Sequence, residues 1–143
     1  MKATTEIPVR SYHIDHFGHV NHARIVELLE EARWRYLEEH KLLGVLHQYR
    51  LVHIVAEINI RYRKAARLGD VFRIDTEIES RLGKSFVVWQ NVFDSKSAEL
   101  VCDAAITNVF VDEHGKAQSI DATVLRHWPD LASAPRLDSL RSS

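Results

Sequence analysis

The chain has 143 residues, 45% hydrophobic and 27% charged, the size and balance of one globular domain that can bury a core without disulfides or a structural metal. With 19 Lys plus Arg against 20 Asp plus Glu, a net charge of -1 gives no field for wrapping nucleic acid. No apolar run approaches a membrane span, the start MKATTEIP lacks the apolar core of a secretion signal, and the lone Cys102 fits a reducing cytoplasm, the expected location.

In chain order, Glu6 to Asp15 (EIPVRSYHID) reads as a strand that opens near Pro8. Gly18 interrupts it, and Asn21 is placed to cap a helix running from about His22 to His40. Along that helix Ile25, Leu28, Leu29, Ala32, Tyr36 and Leu37 recur at three- and four-residue spacing, while Glu27, Glu30, Glu31, Arg35, Glu38 and Glu39 lie mostly elsewhere. From Leu51 to Lys64 the residues Val52, Ile54, Ala56, Ile58, Ile60 and Tyr62 alternate with polar ones, which predicts a strand with one buried face. Val71 to Arg81 alternates in the same way, Leu82-Gly83 reverses the chain, and Lys84 to Asp94 returns. Glu99 to Asp112 is the last long strand, with Leu100, Cys102, Ala104, Ile106 and Phe110 on one face. The connections are short enough for hairpins. Beyond about residue 118 the pattern fades into a helical turn near Asp121 to Arg126, and the tail over 119–143, with Pro129, Pro135 and several serines, is expected to be loosely held. Strand, long helix, then four antiparallel strands make an α+β domain with one helix on one sheet.

The reactive side chains concentrate at the junction of first strand and long helix, Ser11-Tyr12-His13-Ile14-Asp15-His16-Phe17-Gly18-His19-Val20-Asn21-His22. A carboxylate there, Asp15, precedes Gly18 and a helix N-terminus, whose unpaired N–H groups and positive dipole end stabilise a developing oxyanion. That pairing suits acyl transfer. On residue type alone Asp15 serves equally as a turn former. His13, His16, His19 and His22 recur at every third position, but Gly18 and the change from strand to helix scatter their rings, so no metal is expected. Arg61, Arg63, Lys64 and Arg67, with Arg81 and Lys84 at another turn, offer a cationic rim for phosphates, against the plainer reading of a solvated face. Trp34, Trp89 and Tyr36 read as core or interface residues, and Cys102 as a buried thiol.

At this point Asp15-His16-Phe17-Gly18-His19-Val20-Asn21-His22-Ala23, with Glu30-Glu31-Ala32-Arg33 downstream, resembles the signature of hotdog-fold acyl-CoA thioesterases of the 4-hydroxybenzoyl-CoA thioesterase and YbgC type. The resemblance continues through Ile58-Asn59-Ile60-Arg61-Tyr62-Arg63-Lys64-Ala65-Ala66-Arg67-Leu68-Gly69-Asp70 and Gly83-Lys84-Ser85-Phe86, over roughly residues 8 to 118. It implies a sheet of about five strands wrapped around the helix, dimers that join two sheets, and often tetramers. It also implies that Asp15 is the catalytic carboxylate, either nucleophile or general base, and that the backbone N–H at His22 polarises the thioester carbonyl. Gly18, Asn21 and Ser85 then border the substrate, His19 is a candidate assisting side chain, and no cofactor is needed beyond the coenzyme A of the substrate.

His13 stands where the family often has an acidic residue, and Asn21 where it often has Tyr or Phe, so the acyl pocket departs from the common pattern. Part of the motif, Asp15 with His19-Val20-Asn21, is also similar to acyl-carrier-protein thioesterases, although Phe17 replaces their Asn. His16-Phe17-Gly18 faintly resembles hotdog dehydratases, without the proline-rich remainder of their motif. A module that binds acyl thioesters without cleaving them is the non-enzymatic alternative.

Overall fold

Four long runs of β-branched and aromatic residues and one long amphipathic helix leave few ways to bury their apolar faces, and the sheet-on-helix arrangement is the one adopted. The computed structural model describes residues 3–137. Strands β1 (Ala3–Pro8), β2 (Val52–Tyr62), β3 (Val71–Arg81), β4 (Ser85–Asp94) and β5 (Leu100–Val111) form one antiparallel sheet in the order β1-β3-β4-β5-β2. Helix α1 (His22–Glu39) lays Ile25, Leu28, Leu29, Ala32, Tyr36 and Leu37 on that sheet, as the spacing predicts. Phe72, Ile74, Phe86, Ile106 and Phe110 meet it from the strands, each 0–1% exposed.

The first strand departs from expectation. It runs Ala3–Pro8 rather than Glu6 to Asp15, because Pro8 pairs with Val71, the first residue of β3, and no ladder lies beyond it. Ser11–His13 is instead a 3₁₀ turn. The connection from β2 to β3 is not a hairpin: β2 pairs with β5 at the opposite edge of the sheet, and only β3–β4 and β4–β5 are hairpins.

The face of β2 expected to be buried is largely open. Val52, Ile54, Ile58 and Tyr62 are exposed, because β2 is an edge strand and a bulge between Val55 and Glu57 breaks its alternation. In β5, Leu100 is only half-buried. A register break between Val92 and Phe93 leaves Val101 without a partner on β4 and buried in the core beside Cys102, whose thiol is pushed up to about 12 by desolvation, while Asp103 is covered by its ion pair with Arg63.

Three short helices complete the described residues. Helix α2 (Leu43–Gln48) was not signalled by the sequence pattern, and it tucks Leu46 against the core. After β5, α3 (Ala122–His127), capped by the Asp121 carboxylate, and α4 (Pro129–Ser133) occupy the region expected to be loose. Here the composition misled: Trp128 and Leu131 are 2% and 0% exposed. The Tyr36 hydroxyl donates to Asp130 at 2.8 Å and receives the Trp128 indole N–H at 3.1 Å, which ties α4 to α1. Residues 138–143 of the expected tail lie outside the described residues.

Candidate active site

Beyond Pro8 the chain must turn without a ladder, and side chains take over the backbone donors. The His13 Nδ1 accepts the Arg10 N–H at 2.8 Å, and the His13 carbonyl accepts the Asn21 N–H at 2.8 Å. Burial first, then the nearby Arg24 charge, holds this imidazole below its ordinary 6.5, which suits a neutral structural group.

The next six residues fold back on themselves. Asp15 N–H donates to the His19 carbonyl at 2.8 Å, and Gly18 N–H to the Asp15 carbonyl at 3.1 Å. Gly18 sits at φ +79, a left-handed conformation that a side chain would resist. Within this turn Asp15 Oδ1 accepts two backbone N–H groups, from Phe17 at 2.9 Å and His19 at 3.2 Å. Its Oδ2 accepts no hydrogen bond among the described residues. One oxygen anchors the carboxylate and the other is presented. Val20 N–H to the Ala66 carbonyl at 2.8 Å, and the bridge between His19 and Arg67, fasten the turn to the β2–β3 connection.

Helix α1 begins directly after this turn. The Asn21 side chain accepts the Ala23 N–H at 2.8 Å, while the Asn21 carbonyl accepts those of Arg24 and Ile25 at 3.0 and 3.2 Å. His22 is thus the first-turn residue whose N–H has no acceptor among the described residues, at the positive end of an 18-residue helix. Tyr62 on β2 donates its hydroxyl to the His22 carbonyl at 2.9 Å, and the two rings stand edge to face at 6.2 Å. Nothing in the alternation of β2 distinguishes Tyr62 for this contact, because it needs the fold.

The structure therefore gathers Asp15, Gly18, His19, Asn21, His22 and Arg67. Arg61 and Arg67 are exposed and make no ion pair among the described residues, although the Arg67 N–H is held by Asp70 at 2.9 Å. Arg63 and Lys64 are already engaged, Arg63 with Asp103 at 2.8 Å and Lys64 with Glu99 at 3.1 Å. Arg81, Lys84 and Ser85 lie at the far end of the sheet: Ser85 opens the 10-residue strand β4, whose length of roughly 30 Å separates them from the Asp15 turn of the same chain. Among the described residues no three His, Cys, Asp or Glu side chains converge as metal ligands, and no helix is long and apolar enough to cross a membrane.

Sequence reasoning missed a cleft of about 420 Å³ between α1, α2 and β2. Trp34, Leu37, Leu46, Leu51 and Ile54 form its apolar walls, while Arg33, His53 and Asn108 supply polar groups and Glu30 stands at it too. A narrow extension of about 20 Å³ continues from Arg33 and His53 to Phe86 and Trp128. Asn108 stands out in a largely apolar stretch of β5, but His53 reads as one of the alternating polar residues of β2, and only β2–β5 pairing brings the two together.

The family model described as the thioesterase-like superfamily covers residues 9–135. The chain belongs to this superfamily. Among thioesterases it is 39% identical over 108 residues to the long-chain acyl-CoA thioesterase FadM of Escherichia coli (strain K12), across 76% of this chain and 82% of that protein. It is 34% identical over 108 residues to the acyl-CoA thioester hydrolase YbgC of Escherichia coli O6:H1, across 73% of this chain and 80% of the relative. The crystal structure of YbaW, a probable thioesterase from Escherichia coli, superposes with a TM-score of 0.83 at 34% identity, over 90% of this chain and 97% of that one. The architecture is the hotdog fold of these thioesterases, as the signature residues implied.

Proposed function

We propose that this thioester hydrolase acts on acyl-CoA, with Asp15 driving the attack and the His22 N–H receiving the oxyanion. The carrying observation is one arrangement: a carboxylate with Oδ1 fixed by two N–H groups and Oδ2 left open, beside the first turn of α1 whose His22 N–H is unpaired. As the thioester carbonyl becomes tetrahedral its oxygen gains charge, and a fixed N–H at a helix end stabilises that charge without reorganising. Asp15 either attacks the carbonyl, forming an anhydride that water then opens, or takes the proton from an attacking water. In both routes the C–S bond breaks, the thiolate leaves and is protonated, and the products are the free acid and CoA. Arg67, whose backbone bridges to His19 of this turn, and Arg61, near the end of β2, both free of ion pairs among the described residues, are the groups available to the CoA phosphates. No further cofactor enters this scheme.

The reading includes a homodimer, the unit from which a tetramer would be built. Strand β2 has an open edge, and Val52, Ile54, Val55, Ile58 and Tyr62 on it are 38–53% exposed. A second copy added antiparallel along β2 sets the Tyr62 end of one chain, with its Asp15 turn, against the Val52 end of the other, where the cleft lies. The acyl group then passes from one copy's carboxylate into the other copy's cleft, and the same operation brings Arg81, Lys84 and Ser85 of the second copy toward the CoA side.

Thiol release from a panel of short, long and aromatic acyl-CoAs tests the chemistry. Turnover that collapses in Asp15→Asn with the fold retained supports it, whereas unchanged turnover removes Asp15 from the mechanism. Sedimentation of wild type against Ile58→Lys tests the assembly, with dissociation to monomer expected.

A further inference from the structure

The polar groups of the cleft are arranged by bonds that fix both their orientation and their proton positions. Gln90 is 0% exposed and its amide donates to the Leu29 carbonyl and to Thr76 Oγ1, both at 3.0 Å. Its oxygen is thereby aimed at Arg33, which donates one N–H to it at 3.0 Å. That is the one hydrogen bond the Arg33 guanidinium makes among the described residues, and Glu30 acts on it electrostatically without forming an ion pair, so most of its five donors are unoccupied at an apolar cleft. Asn108 is 1% exposed, and its amide donates to the Ile106 carbonyl at 3.1 Å. That bond turns its oxygen to His53 Nδ1, 3.3 Å away. An amide oxygen only accepts, so His53 carries its proton on Nδ1. Burial and the Arg33 charge lower the His53 pKa, the bond to Asn108 only partly opposing them, and the ring is neutral with a bare lone pair on Nε2.

The cleft thus holds guanidinium donors and an imidazole acceptor within one apolar enclosure. We propose that it selects acyl groups carrying a hydroxyl at their distal end, the hydroxyl oxygen accepting from Arg33 and its O–H donating a hydrogen bond to His53 Nε2. A plain alkyl end would leave both groups dry and unpaired when the cleft is filled. A carboxylate would satisfy Arg33 but would face the His53 lone pair and the charge of Glu30, which also lines the cleft. This inference rests on the acyl-CoA reading of the same site and specifies its substrate class.

The test compares octanoyl-, decanoyl- and dodecanoyl-CoA with their ω-hydroxy and ω-carboxy counterparts, using thiol release for kcat and KM. Binding of the corresponding non-cleavable S-alkyl-CoA thioethers to wild type is measured beside it by calorimetry. In wild type, kcat/KM for the ω-hydroxy member at the fitting length exceeds that of the plain chain by roughly tenfold or more, as for a site whose polar groups are otherwise left unpaired. In His53→Phe the ratio falls to near one, because the plain chain improves while the hydroxylated one worsens. Arg33→Met gives the same collapse and serves if His53→Phe does not fold. General damage to the structure lowers both substrates together and leaves the ratio unchanged, which would assign the two residues a structural role and overturn the proposal. Equal rates for plain and hydroxylated chains at every length overturn it as well, as does a preference for ω-carboxy chains. If no thioester is cleaved but the ω-hydroxy thioethers bind more tightly, the hydrolase reading fails and the cleft assignment stands.

Discussion

The two ends of the proposed site are built from different materials. At the Asp15 turn the chemistry is carried by backbone: two N–H groups grip one carboxylate oxygen, a glycine permits the reversal, and a helix end offers an unpaired N–H. At the cleft it is carried by side chains from four elements, with Gln90 of β4 orienting Arg33 of α1 and Asn108 of β5 orienting His53 of β2. A backbone site tolerates many side chains around it and keeps one reaction. A side-chain site changes its preference with single substitutions. In the proposed scheme the hydrolytic reaction and the acyl preference are carried by separate parts of one domain.

The largest expected effect separates the two ends directly. Asp15→Asn lowers kcat by roughly 10² to 10⁴, the range associated with loss of a positioned acid–base group. Its amide oxygen still accepts from Phe17 and His19, so circular dichroism and the melting temperature stay near wild type. Asp15→Ala loses the turn as well, and its melting temperature falls. Next is the wall of the cleft: Trp128→Ala removes a side chain 2% exposed that lines the deep extension, and destabilises by about 3–5 kcal/mol in a urea titration. A loosely held tail would give almost no change there. At the turn, Asn21→Ala removes the cap of α1 and costs about 1 kcal/mol in the same assay.

The pH dependence gives a finer contrast. His53 and His13 both have folded pKa values below their ordinary 6.5. The unfolded chain therefore binds more protons than the folded one just below pH 6.5, so stability is full above that value and declines as pH falls through the folded pKa values. His53→Phe shallows the decline, leaving the part that belongs to His13. A decline of unchanged slope would show that His53 does not titrate in this way.

How much was legible in the sequence follows the same division. Helix α1 and its apolar stripe were read to within a residue, because the helical period is a local property and α1 is covered on one side only. The Asp15–Gly18–helix constellation was legible because every member lies within a few residues of the others. The openness of β2 was not, since alternation reports that a face is apolar and says nothing of whether the same chain covers it. The helical turn after Asp121 was legible, but α4 and the tight packing of both C-terminal helices were not, because that packing comes from Trp128 and Leu131 being buried in the core while the local composition is that of a loop. His53 and Asn108 are 55 residues apart in sequence, and only the β2–β5 register makes them neighbours.

Tyr62 joins parts of the molecule that otherwise have separate concerns. It stands on the open edge of the sheet, and its hydroxyl grips the carbonyl of His22. A single hydrogen bond of 2.9 Å therefore links the open sheet edge to the first turn of α1, where the proposed oxyanion site lies. In the proposed dimer the same bond sets the interface directly beside the oxyanion site, and Tyr62→Phe removes that link while leaving each site's residues in place.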